Sequence, residues 1–96
     1  MIVLEIPKLI KPITPKLYEA GCVYQFQLGS YKTFHVVLDD FDHMYRDHEL
    51  DCAGWSADTI NFHPEGRYAG SNTLDLKRAE SDNYNYVWKV NLDVIL

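Results

Sequence analysis

The chain has 96 residues, 47% hydrophobic and 14% aromatic, with a net charge of −5. That length supports one hydrophobic core, burying about two-thirds of the unfolded surface, and is too short for two, so residues 1–96 read as a single domain. The apolar content excludes wholesale disorder, and the acidic balance argues against a broad basic face that binds nucleic acid directly. No apolar run approaches the roughly 18 residues of a membrane span. The opening, MIVLEIPKLIKPITPK, is broken by Glu5 and prolines and does not read as an export signal, which predicts a cytoplasmic protein and no membrane partner.

Ile2 to Ile6 reads as a short strand stopped by Pro7. The three prolines between Pro7 and Pro15 demand an extended or turning backbone, because each fixes φ and removes a donor. Leu17 to Ala20 can form a brief helical turn, closed by Gly21. Cys22, Tyr24, Phe26 and Leu28 then alternate with Val23, Gln25 and Gln27, the period-two pattern of a half-buried strand. Gly29-Ser30 suits a type II′ hairpin turn, and Tyr31 to Leu38 returns, rich in β-branched and aromatic residues. The turn sets the register: Leu28 faces Tyr31, Phe26 faces Thr33, Tyr24 faces His35, and Cys22 faces Val37.

Asp39 to Cys52 breaks the alternation. Asp40 can cap a short helix with Phe41, Met44, Tyr45 and His48 at spacings of three and four; an irregular acidic loop is the alternative. Ala53-Gly54-Trp55 leads into a strand from Thr59 to Phe62. His63 to Asn72 is dense in turn formers and reads as a surface connection. Thr73 onwards begins as a strand, and Ser81-Asp82-Asn83 is a turn. At the end, Tyr86, Trp88, Val90, Leu92, Val94 and Leu96 share one parity, which predicts a long strand, bent or central, that pairs with more than one neighbour. Together these elements predict a mainly β (or α+β) fold, a small antiparallel sheet of five to six strands with room for one short helix. The Gly29-Ser30 hairpin and the Tyr86–Leu96 strand are expected at its centre.

The charge is local. Asp39, Asp40, Asp42, Asp47, Glu49 and Asp51 are opposed within their stretch only by Arg46, which gives −5; the rest of the chain has eight acidic and eight basic side chains. Such a stretch is either a solvated loop or a docking surface that mimics a run of phosphates, and Tyr45 and Trp55 are aromatic anchors within or beside it. Metal binding by His43, His48 and the neighbouring carboxylates is a weaker reading: the two histidines are five apart and the run lacks a calcium-loop pattern. A zinc site would have to recruit His35 or His63. An acid–base site built from a histidine and Arg46 or Arg67 has no accompanying nucleophile or phosphate-loop motif. His35 falls on the apolar Tyr24–Phe26–Leu28 face and reads as a hydrogen-bonded core histidine. Cys22 and Cys52 belong to no C-x-x-C pair and are expected as reduced thiols. Arg67, between Gly66 and Gly70, reads as part of a surface turn. Tyr86 is expected in the core, with Tyr68 and Tyr84 as contact residues. Lys32 and Lys89 are expected to guard sheet edges, which also offer a route to a homodimer.

These features predict a non-enzymatic inhibitor or adaptor without cofactor. Its partner-binding residues are Asp39, Asp40, Asp42, Tyr45, Asp47, Glu49, Asp51 and Trp55, and they occupy a basic, nucleic-acid-binding surface of a larger protein. Viral inhibitors of host nuclease and CRISPR defence share this profile by analogy. The alternatives are a small histidine- or metal-dependent nuclease and a structural subunit of a larger assembly.

Overall fold

The computed structural model describes residues 2–8, 19–39, 43–47, 52–75, 78 and 83–95; of 43–47, 52–55 and 94–95 the backbone alone is described. It contains β1 (Cys22–Leu28), β2 (Tyr31–Val37), β3 (His43–Asp47), β4 (Cys52–Phe62), β5 (Tyr68–Asp75), β6 (Tyr84–Lys89) and a short helix, α1 (Leu92–Ile95). All six strands join one sheet through antiparallel pairings. A small antiparallel sheet with almost no helix is what the alternating pattern predicts.

The β1–β2 hairpin keeps the register set by its turn, with Leu28 opposite Tyr31, Phe26 opposite Thr33 and Tyr24 opposite His35. Gly29 sits at φ 62, in the left-handed region that a tight hairpin turn requires and that glycine enters at no steric cost. β4 is the longest of the six strands. One of its edges pairs with β5 from Ser56 to Phe62; the other pairs with β2 at Thr59–Phe62 and with β3 at Cys52–Ser56. The β5 pairing fills one edge throughout Ser56–Phe62, so β2 and β3 must lie end to end along the other.

The sheet buries both faces. The first gathers Cys22, Tyr24, Val37, Ala57, Leu74, Tyr84 and Tyr86, with Phe26 packed against them. The second gathers Leu4, Val23, Phe34, Val36, Ile60, Phe62 and Val87, and adds Ile6, Trp88, Val90 and Leu92 from the two ends of the chain. Alternation along β1 and β2 sends successive side chains to opposite faces, and two covered faces explain why every residue from Thr33 to Val37 is buried.

Four expectations are corrected. Ile2–Ile6 is not a strand: Val3 makes an isolated bridge to Arg67, and the Leu4 N–H donates to the Gly66 carbonyl at 2.8 Å, which drops the Leu4 side chain into the core. The turn after β4 is confined to 63–67, because the polar run from Tyr68 to Asp75 is held as a strand by pairing with β4. β4 itself starts at Cys52, seven residues earlier than Thr59, because it has β3 to pair with. The last strand ends at Lys89 and pairs only with β1 among the described residues, so it is an edge and not a centre.

The register on β6 also jumps from Tyr86 to Trp88 where β1 passes from Tyr24 to Val23, leaving Val87 as the extra residue of a bulge. The bulge switches parity. Tyr84 and Tyr86 line the first face, whereas Trp88 packs on Phe34 at 5.7 Å on the second. Beyond it, the Asn91 Oδ1 accepts the Asp93 N–H at 3.0 Å, a local cap that favours the helical turn of α1 over a continued strand.

Gly66, at φ 94, is the point where the N-terminal segment attaches, and a Cβ there would collide with the Leu4 carbonyl oxygen. Gly66→Ala is expected to lower stability by about 2–4 kcal/mol, combining the cost of a left-handed alanine with partial loss of Leu4 burial. Gly70→Ala, also at positive φ but with nothing within 4 Å of the new Cβ, isolates the backbone cost. Urea unfolding of both variants checks this, and equal losses would show that the Leu4 contact contributes nothing.

Candidate functional site

The acidic stretch is not a single loop, and at His43–Asp47 it is not the helix that Asp40 can cap; those residues form β3. Tyr45 lies opposite Gly54, Asp47 opposite Cys52, and Trp55 opposite Met44. Val37 pairs with Thr59 and His43 with Ser56, so five residues separate these pairings in the sequence on one side and two, Ala57 and Asp58, on β4. The Leu38 N–H still donates to the Asp58 carbonyl at 2.8 Å, and Asp39 then turns out to solvent. Asp40, Asp42, Glu49 and Asp51 lie outside the described residues, as does His48.

Chain order divides the carboxylates into two groups. Asp39, Asp40 and Asp42 precede β3 in the sequence, whereas Asp47 ends it and Glu49 and Asp51 follow.

Among the described residues, three basic side chains pair with acids outside the stretch. Arg67 pairs with Glu65 at 3.1 Å, Arg78 with Asp75 at 3.9 Å and Lys89 with Glu19 at 3.2 Å. None of those carboxylates lies between 39 and 51. Lys89 sits on the β6 edge as expected, whereas Lys32 lies on β2, an interior strand opposite Gln27. Among the described residues, no three His, Cys, Asp or Glu side chains stand together as a metal site. Cys22 is a thiol buried on the first face.

A second feature lies on that same face. Phe26, Tyr31, Thr33, His35, Asn61, Ala69, Asn72 and Tyr84 enclose a pocket of about 200 Å³. They come from five strands, and no carboxylate is among them. β5 and β6 lie at the two ends of the order β5-β4-β2-β1-β6, and residues 76–83 connect them in the sequence. Arg78 belongs to this connection and lies close enough to shift the titration of both His35 and Tyr84. Its guanidinium also reaches the Thr73 carbonyl at 3.5 Å.

His35 is 6% exposed, as its place on the apolar face predicts. One ring nitrogen, Nε2, shares a 3.0 Å hydrogen bond with the Thr33 hydroxyl, while buried Nδ1 has no partner. An unmet polar atom of this kind costs roughly 1–3 kcal/mol. Burial, reinforced by the Arg78 charge, lowers the His35 pKa to about 4. Tyr84 is buried rather than a surface contact residue, and burial raises its phenol pKa. Tyr86 is in the core, and Tyr68 is exposed. Alternation identifies His35 and its face, but not the pocket itself. Asn61, Asn72 and Tyr84 converge on it from separate strands, and no local spacing in the sequence signals that convergence.

The chain matches no family model, no curated protein and no solved structure in the comparisons made with them.

The folded-state pKa of His35, about 4, lies below its ordinary value of 6.5, so the unfolded chain binds the extra proton first. Above pH 6.5 the histidine is neutral in both states and carries no penalty. As pH falls from 6.5 to 4 the penalty grows, reaching about 3 kcal/mol, and it levels off below 4. His35→Phe should flatten the stability–pH curve by about that amount across this window, measured by urea unfolding. Parallel curves for the two proteins would show that His35 protonates freely in the fold.

Proposed function

We propose that the chain is a non-enzymatic binding protein, an inhibitor or adaptor, whose acidic β3–β4 ribbon occupies a basic surface of a larger protein. The observation that carries this reading is the register of β3 on β4. It sets His43–Asp47, within the acidic stretch, on a backbone paired from Cys52 to Ser56, with Asp47 at one end and exposed Asp39 preceding the other in the sequence. Among the described residues, Cys52 to Trp55 pair with β3 alone, and there the ribbon is two-stranded. Two-stranded ribbons are marginal in water, and a partner lying along one stabilises it.

Electrostatics favours a basic partner. The stretch carries the whole net charge of the chain, and Arg67, Arg78 and Lys89 are turned to other carboxylates. Negative charge concentrated on one stretch of the chain steers association and makes it salt-sensitive. A groove that ordinarily holds phosphates presents the complementary array, with Tyr45 and Trp55 as aromatic anchors at the ribbon.

The test replaces Asp39, Asp40, Asp42 and Asp47 with Asn, taking the net charge from −5 to −1. With the partner identified by affinity capture from the native cells, titration calorimetry should show affinity falling at least ten-fold in the variant and the wild-type affinity falling as salt rises. The melting temperature should stay within a few degrees, because exposed charge changes seldom move stability by more than about 0.5 kcal/mol. Unaltered binding of the variant at low salt removes the acidic ribbon from the interface.

A further inference from the structure

We infer that the pocket beside His35 binds a small, uncharged, planar ring with carbonyl acceptors on its edge, the chemistry of a pyrimidine-dione. The size comes first. About 200 Å³ is the share of roughly seven waters at ~30 Å³ each, the bulk of a single substituted six-membered ring.

One wall is aromatic. The Phe26 ring stands 4.8 Å from Tyr84, 6.0 Å from Tyr31 and 6.3 Å from His35, and His35 stands 5.4 Å from Tyr84. Such a wall offers ring faces and edges to a flat occupant. Apart from Ala69 the remaining lining is polar, and its two amides are set as donors. The Asn72 Oδ1 accepts the Thr73 N–H at 2.8 Å, and the Asn61 Oδ1 accepts the Thr59 hydroxyl at 3.1 Å. Each amide therefore has its Nδ2, a donor, left to offer an occupant. His35 contributes its neutral ring to the lining, with Nδ1 enclosed and without a partner among the described residues.

Charge disfavours an ion. Among the described residues, no charged side chain lines the pocket, and the neighbouring Arg78 is offset by Asp75. An ionic ligand would lose its hydration with no counter-charge inside. A ring bearing two carbonyls instead meets the amide donors and leaves the apolar wall to its face. The pocket shares no lining residue with the acidic ribbon, so this inference and the proposed docking stand or fall separately.

The experiment is a titration of the ¹⁵N-labelled full chain with uracil, with benzene as a probe of shape alone, followed by two-dimensional NMR. Uracil should give saturable shifts at Thr33, His35, Asn61, Ala69, Asn72 and Tyr84 in the millimolar range, and benzene should bind at least ten-fold more weakly. Asn61→Leu and Asn72→Leu should each weaken uracil at least ten-fold with spectral dispersion retained. His35→Phe should do the same if it folds, and the two asparagine variants decide the matter if it does not. The inference is overturned by an absence of saturable shifts up to the solubility limit of uracil, by shifts centred elsewhere, or by benzene binding equally well.

Discussion

Everything that positions the two candidate sites depends on β4 being paired along both edges. Its eleven residues hold β5 on one side and, on the other, β2 followed by β3. Backbone groups buried in a sheet must be paired, so a strand of this length needs partners along most of it. β2 serves only Thr59–Phe62. The rest of that edge is taken by β3, so one strand partners the residues before the acidic stretch and five residues within it.

Covering both faces has a different consequence. Leu4, Ile6, Val90 and Leu92 close the second face, while on the first Arg78 lies near His35 and Tyr84. The apolar half of the first face, around Tyr24, Val37 and Leu74, packs fully. Its other half carries Thr33, His35, Asn61 and Asn72, and there a pocket remains. A buried histidine with one unsatisfied nitrogen is a local cost that a packed apolar side chain would avoid. Its presence beside a cavity is why that end of the sheet carries a functional proposal.

How far the fold is legible in the sequence varies by element. The β1–β2 hairpin is readable because Cys22–Leu28 alternates strictly and Gly29 sits where a tight turn needs it. β3 is not, because His-Met-Tyr-Arg-Asp has no alternating apolar face and its neighbours are acidic; cross-strand pairing overrides weak local preference there. The Val87 bulge is invisible for a subtler reason. Residues on both parities around it are apolar, so Tyr86, Trp88 and Val90 read as one face, and only the partner's register reveals the slip. Of the eight residues expected at the partner surface, the described backbone brings Tyr45, Asp47 and Trp55 onto the ribbon and leaves Asp39 exposed at its base.

Both the display of the acidic residues and the course of the sheet require β2 and β3 to share one edge of β4. Cross-strand nuclear Overhauser effects in the intact chain test that arrangement most directly. It predicts contacts between the backbones of Val37 and Thr59 and, in the same molecule, between Tyr45 and Gly54 and between His43 and Ser56. A ladder of sequential helical contacts through Met44–Asp47, with no signal between Tyr45 and Gly54, would contradict it.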